Sequence, residues 1–251
     1  MEFIQVTAEN LAREHICCAI AKEADCQVTS KKSWLAERFD EGLKFWKADA
    51  RGKCFIEYLP GENAWAPVEA AGLTWIDCLW VSGQLAGHGY AGQLLQKCLD
   101  DTRTQGRHGA AVLSSDRKRP YLADPRFLEH AGFRLADQAG YFRLYWLPLD
   151  EMAAPPSFLV CGKRMRTDYE GLALYYTCQC PFTAKYAPVV QAAAEGRGVP
   201  FRAIRLTSGE QARRAPSPFT AYSLFWEGKF VTHEILSEKK AEKILEGLNH
   251  G

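Results

Sequence analysis

Apolar residues in the first 150 positions follow strand-like runs and one clear helical spacing. The sequence over residues 53–59 predicts a strand that Pro60 and Gly61 end. The nearly continuous apolar run over residues 73–81 predicts a central strand. From Ala91 the apolar positions are 91, 94, 95, 98 and 99, which is the spacing of an amphipathic helix. A strand, a short turn and a helix are therefore predicted in direct succession.

Weaker patterns predict the other elements of this part of the chain. Helices are predicted over residues 8–20, 33–46 and 125–130, and strands over residues 110–113 and 141–147. Together they predict a mixed sheet with helices, of the α/β or α+β class. Residues 147–157 contain three prolines and no hydrophobic periodicity, which is typical of a linker. We therefore predict two domains, over residues 1–150 and 158–251.

The residues after the linker carry a second alternation of strands and helices. Strands are predicted over residues 171–177 and 199–206, and a hairpin over residues 221–225 and 229–233. Helices are predicted from about Phe182 to residue 195, over residues 208–213, and after Ser237. The predicted order of elements is βαβαββα.

Charge and composition narrow the classes of partner. Of the 251 residues 31 are basic and 30 acidic, which gives a net charge of +1. This balance gives no electrostatic reason to expect nucleic acid or an anionic membrane as a partner. No apolar run approaches the roughly 18 residues of a membrane-spanning helix, and the N terminus lacks a signal-peptide pattern. We expect a cytoplasmic protein.

Nine cysteines are scattered along the chain. Their odd number and irregular spacing do not predict a disulfide framework, and most are expected to be small buried side chains. No metal site is predicted. Cysteines come close together at Cys17-Cys18, which we expect to be buried in the core, and at Cys178-Gln179-Cys180.

A glycine-rich turn joins the central strand to the amphipathic helix. Its sequence is Gln84-Leu85-Ala86-Gly87-His88-Gly89. The first turn of a helix presents unpaired N–H groups and the positive end of the helix dipole, and glycines allow a pyrophosphate to approach the backbone. A tight turn with no ligand is the alternative interpretation, and the position between a strand and a strong helix favours phosphate binding.

This turn resembles the signature of the GNAT superfamily of N-acetyltransferases, Arg/Gln-x-x-Gly-x-Gly/Ala. A second signature, a short helix that ends in Gly-Phe, is similar to residues 127–133, and the resemblance covers about residues 1–150. It implies that acetyl-CoA binds here, with its pyrophosphate on the loop amides and its pantetheine along a central strand that splays from its neighbour in a V shape. The residues so implied are Leu79, Trp80, Val81, Gln84, Leu85, Ala86, Gly87, His88, Gly89, Tyr90 and Ala91.

Many members of that family carry a tyrosine in the second signature, which protonates the departing CoA thiolate. The corresponding residue here is Leu128, and Tyr121 and His130 are nearby in the sequence without matching the position. The identity of a general acid is therefore open.

Transfer to an amine needs a base that faces the thioester. Asp77 is the only charged residue in the run 73–81, and strand alternation places it on one face with Trp75, Leu79 and Val81. A carboxylate on an apolar strand should have a raised pKa, which suits a base. Glu57 is the second candidate and Glu69 the third. A buried aspartate paired with arginine is the alternative for Asp77, and a solvated carboxylate is the favoured alternative for the two glutamates.

The order βαβαββα resembles the thioredoxin superfamily, whose active cysteine begins the first helix. Cys180 and Pro188 have the spacing of that cysteine and a helix-kinking proline, but Thr183 stands where a second cysteine would complete Cys-x-x-Cys. Cys178 is the alternative partner, and Pro218, or less well Pro216, is similar to the superfamily's cis-proline. A thioredoxin fold that serves only as a scaffold and a reactive or metal(loid)-binding pair Cys178/Cys180 both stay open.

A GNAT half followed by a part with Cys-x-Cys-Pro-Phe resembles bacterial GNAT proteins with a YoaP-type C-terminal domain. The function so implied is an acetyl-CoA-dependent N-acetyltransferase that acts on a small amine or a peptide. The alternatives are a thiol-redox or metal(loid)-binding protein that uses Cys178 and Cys180 and whose GNAT half only binds CoA, and a non-catalytic interaction protein.

Overall fold

The computed structural model describes residues 1–16, 18 and 21–248, which form a seven-stranded sheet, a four-stranded sheet and one short two-stranded sheet, with helices packed on the two larger sheets. The strands are β1 (Phe3–Val6), β2 (Lys44–Ala48), β3 (Cys54–Pro60), β4 (Val68–Glu69), β5 (Leu73–Val81), β6 (Gly109–Ser115), β7 (Arg134–Ala139), β8 (Phe142–Pro148), β9 (Ser157–Phe158), β10 (Leu172–Tyr176), β11 (Phe201–Arg205), β12 (Tyr222–Trp226) and β13 (Lys229–Thr232). The helices are α1 (Cys26–Arg38), α2 (Tyr90–Thr104), α3 (Pro125–His130), α4 (Val160–Arg164), α5 (Pro181–Glu195), α6 (Gly209–Arg213) and α7 (Glu238–Leu248).

The larger sheet has seven strands in the order β1-β2-β3-β5-β6-β8-β7. Only the pair β5–β6 is parallel within it. One face is covered by α1, whose Trp34 and Leu35 lie in a buried cluster with Phe45 and Phe55. The other face is covered by α2, which contributes Leu94, Leu95, Cys98 and Leu99 to a second buried cluster. The predicted mixed α/β class is confirmed.

The two parallel strands of this sheet separate partway along their length. Paired residues run from Leu73 and Gly109 to Ile76 and Val112, although β5 continues for five more residues and β6 for three. Beyond Ile76 the strand β5 pairs with β3 alone. The V-shaped splay predicted for the central strand is therefore present, and the glycine-rich turn lies at its end.

The smaller sheet has the order β11-β10-β12-β13. Strands β10 and β11 are parallel, and the other two pairs are antiparallel. The apolar faces of α5 and α7 pack on it through Val190, Ala194, Ala241 and Leu245. The thioredoxin-like assignment itself stays a prediction. The cis-proline predicted at Pro218 is wrong, because the described residues contain no cis peptide bond.

The two sheets share one buried cluster. Leu206, Ala212 and Ala215 from the C-terminal part pack in the same cluster as Trp34 and Trp65 from the N-terminal part. Since this cluster crosses the predicted linker, the two parts bury apolar surface against each other. The boundaries 1–150 and 158–251 stay a prediction.

Buried hydrogen bonds tie the two parts together as well. The Thr220 hydroxyl donates to the Trp65 carbonyl oxygen at 2.5 Å. His233 is 2% exposed, with Nδ1 2.6 Å from the Tyr141 hydroxyl and Nε2 2.9 Å from the Pro120 carbonyl oxygen. Burial lowers the pKa of His233, so the neutral ring accepts at Nδ1 and donates from Nε2. These bonds fix the orientation of the smaller sheet on the larger one.

Two predicted helices are placed incorrectly by the sequence pattern. The helix predicted over residues 8–20 is wrong, because residues 8–13 form turns. The side chain of Asn10 accepts from the Thr7 N–H and donates to the Gln5 carbonyl, and such local bonds compete with a helix. Cys17, Ala19 and Ile20 lie outside the described residues, and Cys18 is buried.

The helix predicted over residues 33–46 is wrong in both boundaries. Helix α1 begins at Cys26, after Asp25 caps it by accepting from the Gln27 N–H at 2.9 Å. It ends at Arg38, and Gly42 with φ of +87° turns the chain into β2. The short strands β1, β2 and β7 were not predicted, because their polar and apolar residues do not alternate regularly.

Among the described residues, no helix has the length and apolar character needed to cross a membrane.

Candidate active site

The glycine-rich turn forms an open loop at the N terminus of α2. Gly83, Gly87 and Gly89 have φ of +65°, +81° and +75°, a region that glycine adopts without steric cost. Space for a Cβ at each of them is free of other atoms within 4 Å. Helix α2 has no side-chain cap, so its first N–H groups and the positive end of its dipole face this open space. The arrangement suits a bound anion.

The end of β5 carries the residues predicted to pair with pantetheine. Leu79 and Val81 pack toward α2, whereas Trp80 packs on the opposite face, where the Lys53 ammonium lies 4.3 Å from its ring centre. Because β6 has already separated, the β6-facing backbone edge of this segment borders the splay. A strand edge of this kind offers N–H and C=O groups to an extended ligand.

Asp77 occupies a β-bulge at the point where the strands separate. Glu57 of β3 pairs with Cys78 and Tyr58 pairs with Ile76, so Asp77 is the extra residue on β5. At the bulge the alternation of side chains between the two faces of the sheet shifts by one residue. As a result, Trp75, Cys78 and Trp80 face α1, whereas Leu79 and Val81 face α2. The prediction that Asp77 shares a face with Leu79 and Val81 is therefore wrong. Its carboxyl lies on the α1 side with Trp75.

The carboxyl of Asp77 is buried and only half satisfied. Its Oδ1 accepts from Trp75 Nε1 at 2.9 Å, and its Oδ2 is a buried oxygen that has no hydrogen-bond partner among the described residues. Burial raises the pKa of Asp77 well above the ordinary value, the Glu57 carboxylate raises it further, and Lys31 opposes both. The described residues give Asp77 no arginine partner, which removes the main structural alternative. A carboxyl of this kind is suited to accept a proton from a ligand.

Glu57 is fully buried and both of its oxygens are occupied. Lys31 Nζ lies 2.5 Å from Oε2, and Trp34 Nε1 donates to Oε1 at 3.0 Å. Lys31 and Glu57 are each 1% exposed. Burial works against the Lys31 ammonium, yet the adjacent carboxylate raises its pKa, so the pair is charged. This arrangement favours Glu57 as a fixed charge beside Asp77 rather than as the base.

Glu69, the third candidate, is the exposed residue of the two-residue strand β4. Its carboxylate pairs with Arg213 Nη2 at 3.0 Å. The described contacts place it at the edge between the two parts, apart from the splay.

The two candidate thiols lie at the start of α5. Cys180 is the N-cap residue of this helix, a position that normally lowers a thiol pKa. Burial instead raises the pKa of Cys180 to about 11 and also raises that of Cys178. Among the described residues, no three His, Cys, Asp or Glu side chains are grouped to hold a metal ion. These observations do not favour the thiol-redox or metal(loid)-binding alternative.

Cys180 is expected to react with a thiol reagent at pH 7 more slowly than the exposed Cys26. A pKa of about 11 leaves roughly one thiolate in ten thousand at that pH, and the rate should rise as the pH approaches 11. Reagent uptake is followed over time in the wild type, Cys26→Ala and Cys180→Ala. The kinetic phase that each variant lacks is assigned to the thiol that was replaced. Equal rates for the two thiols at pH 7 would contradict this expectation and restore the thiol function.

The family position of the general acid, Leu128, and the two nearby residues Tyr121 and His130 occupy three different environments. Leu128, at the family position, is 1% exposed and lies in the α2-side core. His130 is exposed at the end of α3. Tyr121 has φ of +65°, its ring lies 6.5 Å from that of Phe182, and burial raises its pKa to about 12. Tyr121 is the one of the three whose pKa the Cys180 thiol influences, which places it near the α5 end of the site.

Sequence reasoning missed four residues that contact Asp77, Glu57 or Trp80 at this site. Lys31 and Trp34 come from α1, whose position the pattern misjudged, and Lys53 precedes β3. Gln179 lies between the two cysteines, and its Nε2 donates to the Asp77 backbone oxygen at 3.3 Å. A buried lysine gives no periodic hydrophobic signal in the sequence. Asp25, a residue type that often caps helices, could have indicated where α1 begins.

Solved structures with a similar arrangement of elements were found at low sequence identity. The PaiA N-acetyltransferase from Thermoplasma acidophilum, in complex with coenzyme A, is 14% identical, with 59% of this chain and 99% of that chain covered and a TM-score of 0.41. A GNAT family acetyltransferase from Brucella melitensis, in complex with acetyl-CoA, is 16% identical, with 61% and 90% covered and a TM-score of 0.38.

Sequence comparison gives a relative over the full length. A family model described as YoaP-like matches residues 200–243. The uncharacterized N-acetyltransferase YoaP of Bacillus subtilis (strain 168) is 42% identical over 250 residues, which are 99% of this chain and 100% of that protein. The predicted resemblance to YoaP-type proteins and the prediction of an acyltransferase are confirmed at the level of the family. This chain belongs to the family of the YoaP N-acetyltransferase.

Proposed function

We propose that the protein transfers an acetyl group from acetyl-CoA to the amine of a small molecule or a peptide. The observation that carries this proposal is the position of Asp77. Its buried Oδ2, to which no described residue donates a hydrogen bond, lies where β5 and β6 separate, on the strand that leads into the open glycine loop. Such a transfer needs a proton acceptor and a loop that binds the anionic donor. Strand β5 carries the proposed proton acceptor and leads directly into the loop.

The residues present fit acetyl-CoA. The N–H groups from Leu85 to Ala91 would hold the pyrophosphate, since the loop is exposed and α2 starts without a side-chain cap. The backbone of Leu79, Trp80 and Val81 would pair with the pantetheine amides along the open edge of β5. When bound, acetyl-CoA supplies the acetyl group as an activated thioester.

Asp77 has the central part in the proposed reaction. Its carboxylate removes a proton from the acceptor ammonium or from the attacking amine, so that the nitrogen can bond to the acetyl carbon while the carbon–sulfur bond breaks. The raised pKa of Asp77 makes it a better proton acceptor than an exposed aspartate. Tyr121, near the α5 end of the site, is our candidate to protonate the leaving sulfur, and a thiolate can also leave unprotonated.

The direct test is CoA release in the presence of acetyl-CoA and a panel of primary amines and peptides. Release that depends on the acceptor, together with an acceptor whose mass rises by one acetyl group, is the expected result. Release at the same rate with and without every acceptor would indicate hydrolysis and contradict the proposal.

Gly89→Ala is expected to raise the dissociation constant of acetyl-CoA by about tenfold or more, which corresponds to about 1.4 kcal/mol. The added Cβ projects into open space that the pyrophosphate would occupy, since no atom of the described residues lies within 4 Å of it. Calorimetric titration with acetyl-CoA measures the effect.

Gly106→Ala is the matched control for the loop variant. Gly106 follows α2 at its other end, has φ of +66° and also has nothing within 4 Å of a Cβ. Both variants should lose about 1–2 kcal/mol of stability from the left-handed backbone, but only Gly89→Ala should weaken binding. Equal affinities in the two variants would argue against a phosphate on this loop.

A further inference from the structure

The C-terminal part reaches the splay through the loop that precedes α5. Gln179 Nε2 donates to the backbone oxygen of Asp77 at 3.3 Å. Phe182 lies beside the mouth of the splay, with its ring 5.8 Å from the Lys53 ammonium and 6.5 Å from the ring of Tyr121. The loop and the first turn of α5 therefore contact the site from the β5 side and from the β6 side.

We propose that the C-terminal part completes the active site, and that Gln179 is a positioning residue that holds the bulged backbone of Asp77. This inference rests on the proposed function, because it assigns a role at the same carboxyl.

The bulge explains why Asp77 needs support from outside its own sheet. As the extra residue of β5 it has no partner residue on β3, and β6 has already separated at Ile76. A buried backbone carbonyl in such a place destabilises the fold unless a donor outside the sheet forms a hydrogen bond to it. Gln179 supplies that donor from the other part of the chain, and so limits rotation of the peptide that carries the carboxyl.

The loop that carries Gln179 is itself rigidly held. The Thr183 hydroxyl lies 2.7 Å from the carbonyl oxygens of both Thr177 and Cys180, and the Gln179 N–H donates to the Thr177 hydroxyl. Thr177 and Thr183 are each 0% exposed. Thr183 stands where Cys-x-x-Cys would require a cysteine, and its hydroxyl clamps the loop that presents Gln179. The residue that weakens the disulfide-exchange hypothesis thus has a structural use here.

A neutral amide suits this position because Asp77 is already surrounded by charge. Glu57 of β3 and Glu41 after α1 raise its pKa, Lys31 of α1 lowers it, and the Trp75 indole stabilises the carboxylate. The thiols of Cys78 and Cys180 lie on the same side, and burial raises the pKa of each. Gln179 anchors the backbone without adding a further charge.

The test compares Gln179→Met, which keeps the length and loses the donor, with Gln179→Glu, which also adds a negative charge. We expect Gln179→Met to lower kcat about 5- to 10-fold, the value of one lost hydrogen bond, with the KM for acetyl-CoA unchanged. Turnover requires ionised Asp77, so kcat rises with pH through its pKa. The inflection should move to lower pH in Gln179→Met, as water reaches the carboxyl, and to higher pH in Gln179→Glu.

Gln191→Met is the matched control, since Gln191 lies on the exposed face of α5 and its side-chain amide donates to Glu195 on the same helix. A pH profile of Gln179→Met that coincides with those of the control and the wild type would overturn the inference and leave the proposed function intact. If the wild type releases no CoA with any amine, the proposed function fails. Titration of ¹³C-labelled aspartate carboxyls, assigned with Asp77→Asn, then still decides the role of Gln179, because unchanged titration of Asp77 in both variants would overturn it.

Discussion

Asp77→Asn is expected to lower kcat by about 10²- to 10⁴-fold, the usual contribution of a general base, and to leave the dissociation constant of acetyl-CoA unchanged. Asparagine has the shape of aspartate and can still accept from Trp75 Nε1 through its amide oxygen, so the bulge should persist. It has no basic oxygen to remove the proton of the acceptor. Steady-state CoA release gives kcat, and calorimetric titration gives the affinity.

The matched control for this variant is Asp100→Asn on the exposed face of α2, where the carboxylate pairs with Arg103. This change should leave both measurements unaltered. If Asp77→Asn turns over at the wild-type rate, Asp77 has no part in the mechanism, and Glu57 becomes the candidate to test next.

The raised pKa of Asp77 also has a consequence for stability. An unfolded chain releases this proton near the ordinary aspartate value, whereas the folded protein retains it to higher pH. The folded state then binds more protons, so the free energy of unfolding falls as the pH rises from the unfolded pKa to the folded pKa. Asp77→Asn has no such proton to release, so its free energy of unfolding should not fall in this way. The difference in the free energy of unfolding between the variant and the wild type should widen across that pH range.

Lys31→Met is expected to lower the free energy of unfolding by about 3–5 kcal/mol, the cost of leaving one charge of a buried pair alone. Glu57 would keep its bond from Trp34 but would lose the ammonium at 2.5 Å while 1% exposed. Urea unfolding followed by fluorescence measures the change. The double variant Lys31→Met with Glu57→Gln should recover most of the loss, because the glutamine oxygen can still accept from Trp34.

Lys44→Met is a matched control because its ion pair has the same length but lies nearer to solvent. Lys44 Nζ is 2.5 Å from Asp101 Oδ1, and the two side chains are 30% and 19% exposed. Its loss should cost about 1 kcal/mol or less. Similar losses for Lys31→Met and Lys44→Met would show that burial of the first pair does not set its contribution.

The sequence was most informative where one strong local pattern decided the structure. The run 73–81 became β5 with the same ends, and the spacing from Ala91 became α2, because a central strand and a long helix each bury a continuous apolar set. The loop between them followed from its glycines. The family resemblance, rather than periodicity, supplied the splay.

Features that depend on distant contacts could not be read from the pattern. A bulge shifts alternation by one residue, and nothing in Trp75-Ile76-Asp77-Cys78 marks where the shift occurs. The ion pair of Lys31 and Glu57 joins residues 26 positions apart, and Gln179 reaches Asp77 across 102 positions. Such partners are fixed by tertiary packing, which local propensity does not encode.

The cluster shared by the two sheets has a consequence for how such a protein can be divided or recombined. A cut at the predicted linker would expose Trp34 and Trp65 on one fragment and Leu206 and Ala215 on the other, and apolar patches of this kind promote aggregation. A foreign C-terminal module would have to reproduce these side chains and the Thr220 bond to residue 65. Neither part of the chain can therefore be exchanged for an unrelated domain without loss of these contacts. Sequence changes on one side of the contact should be accompanied by compensating changes on the other.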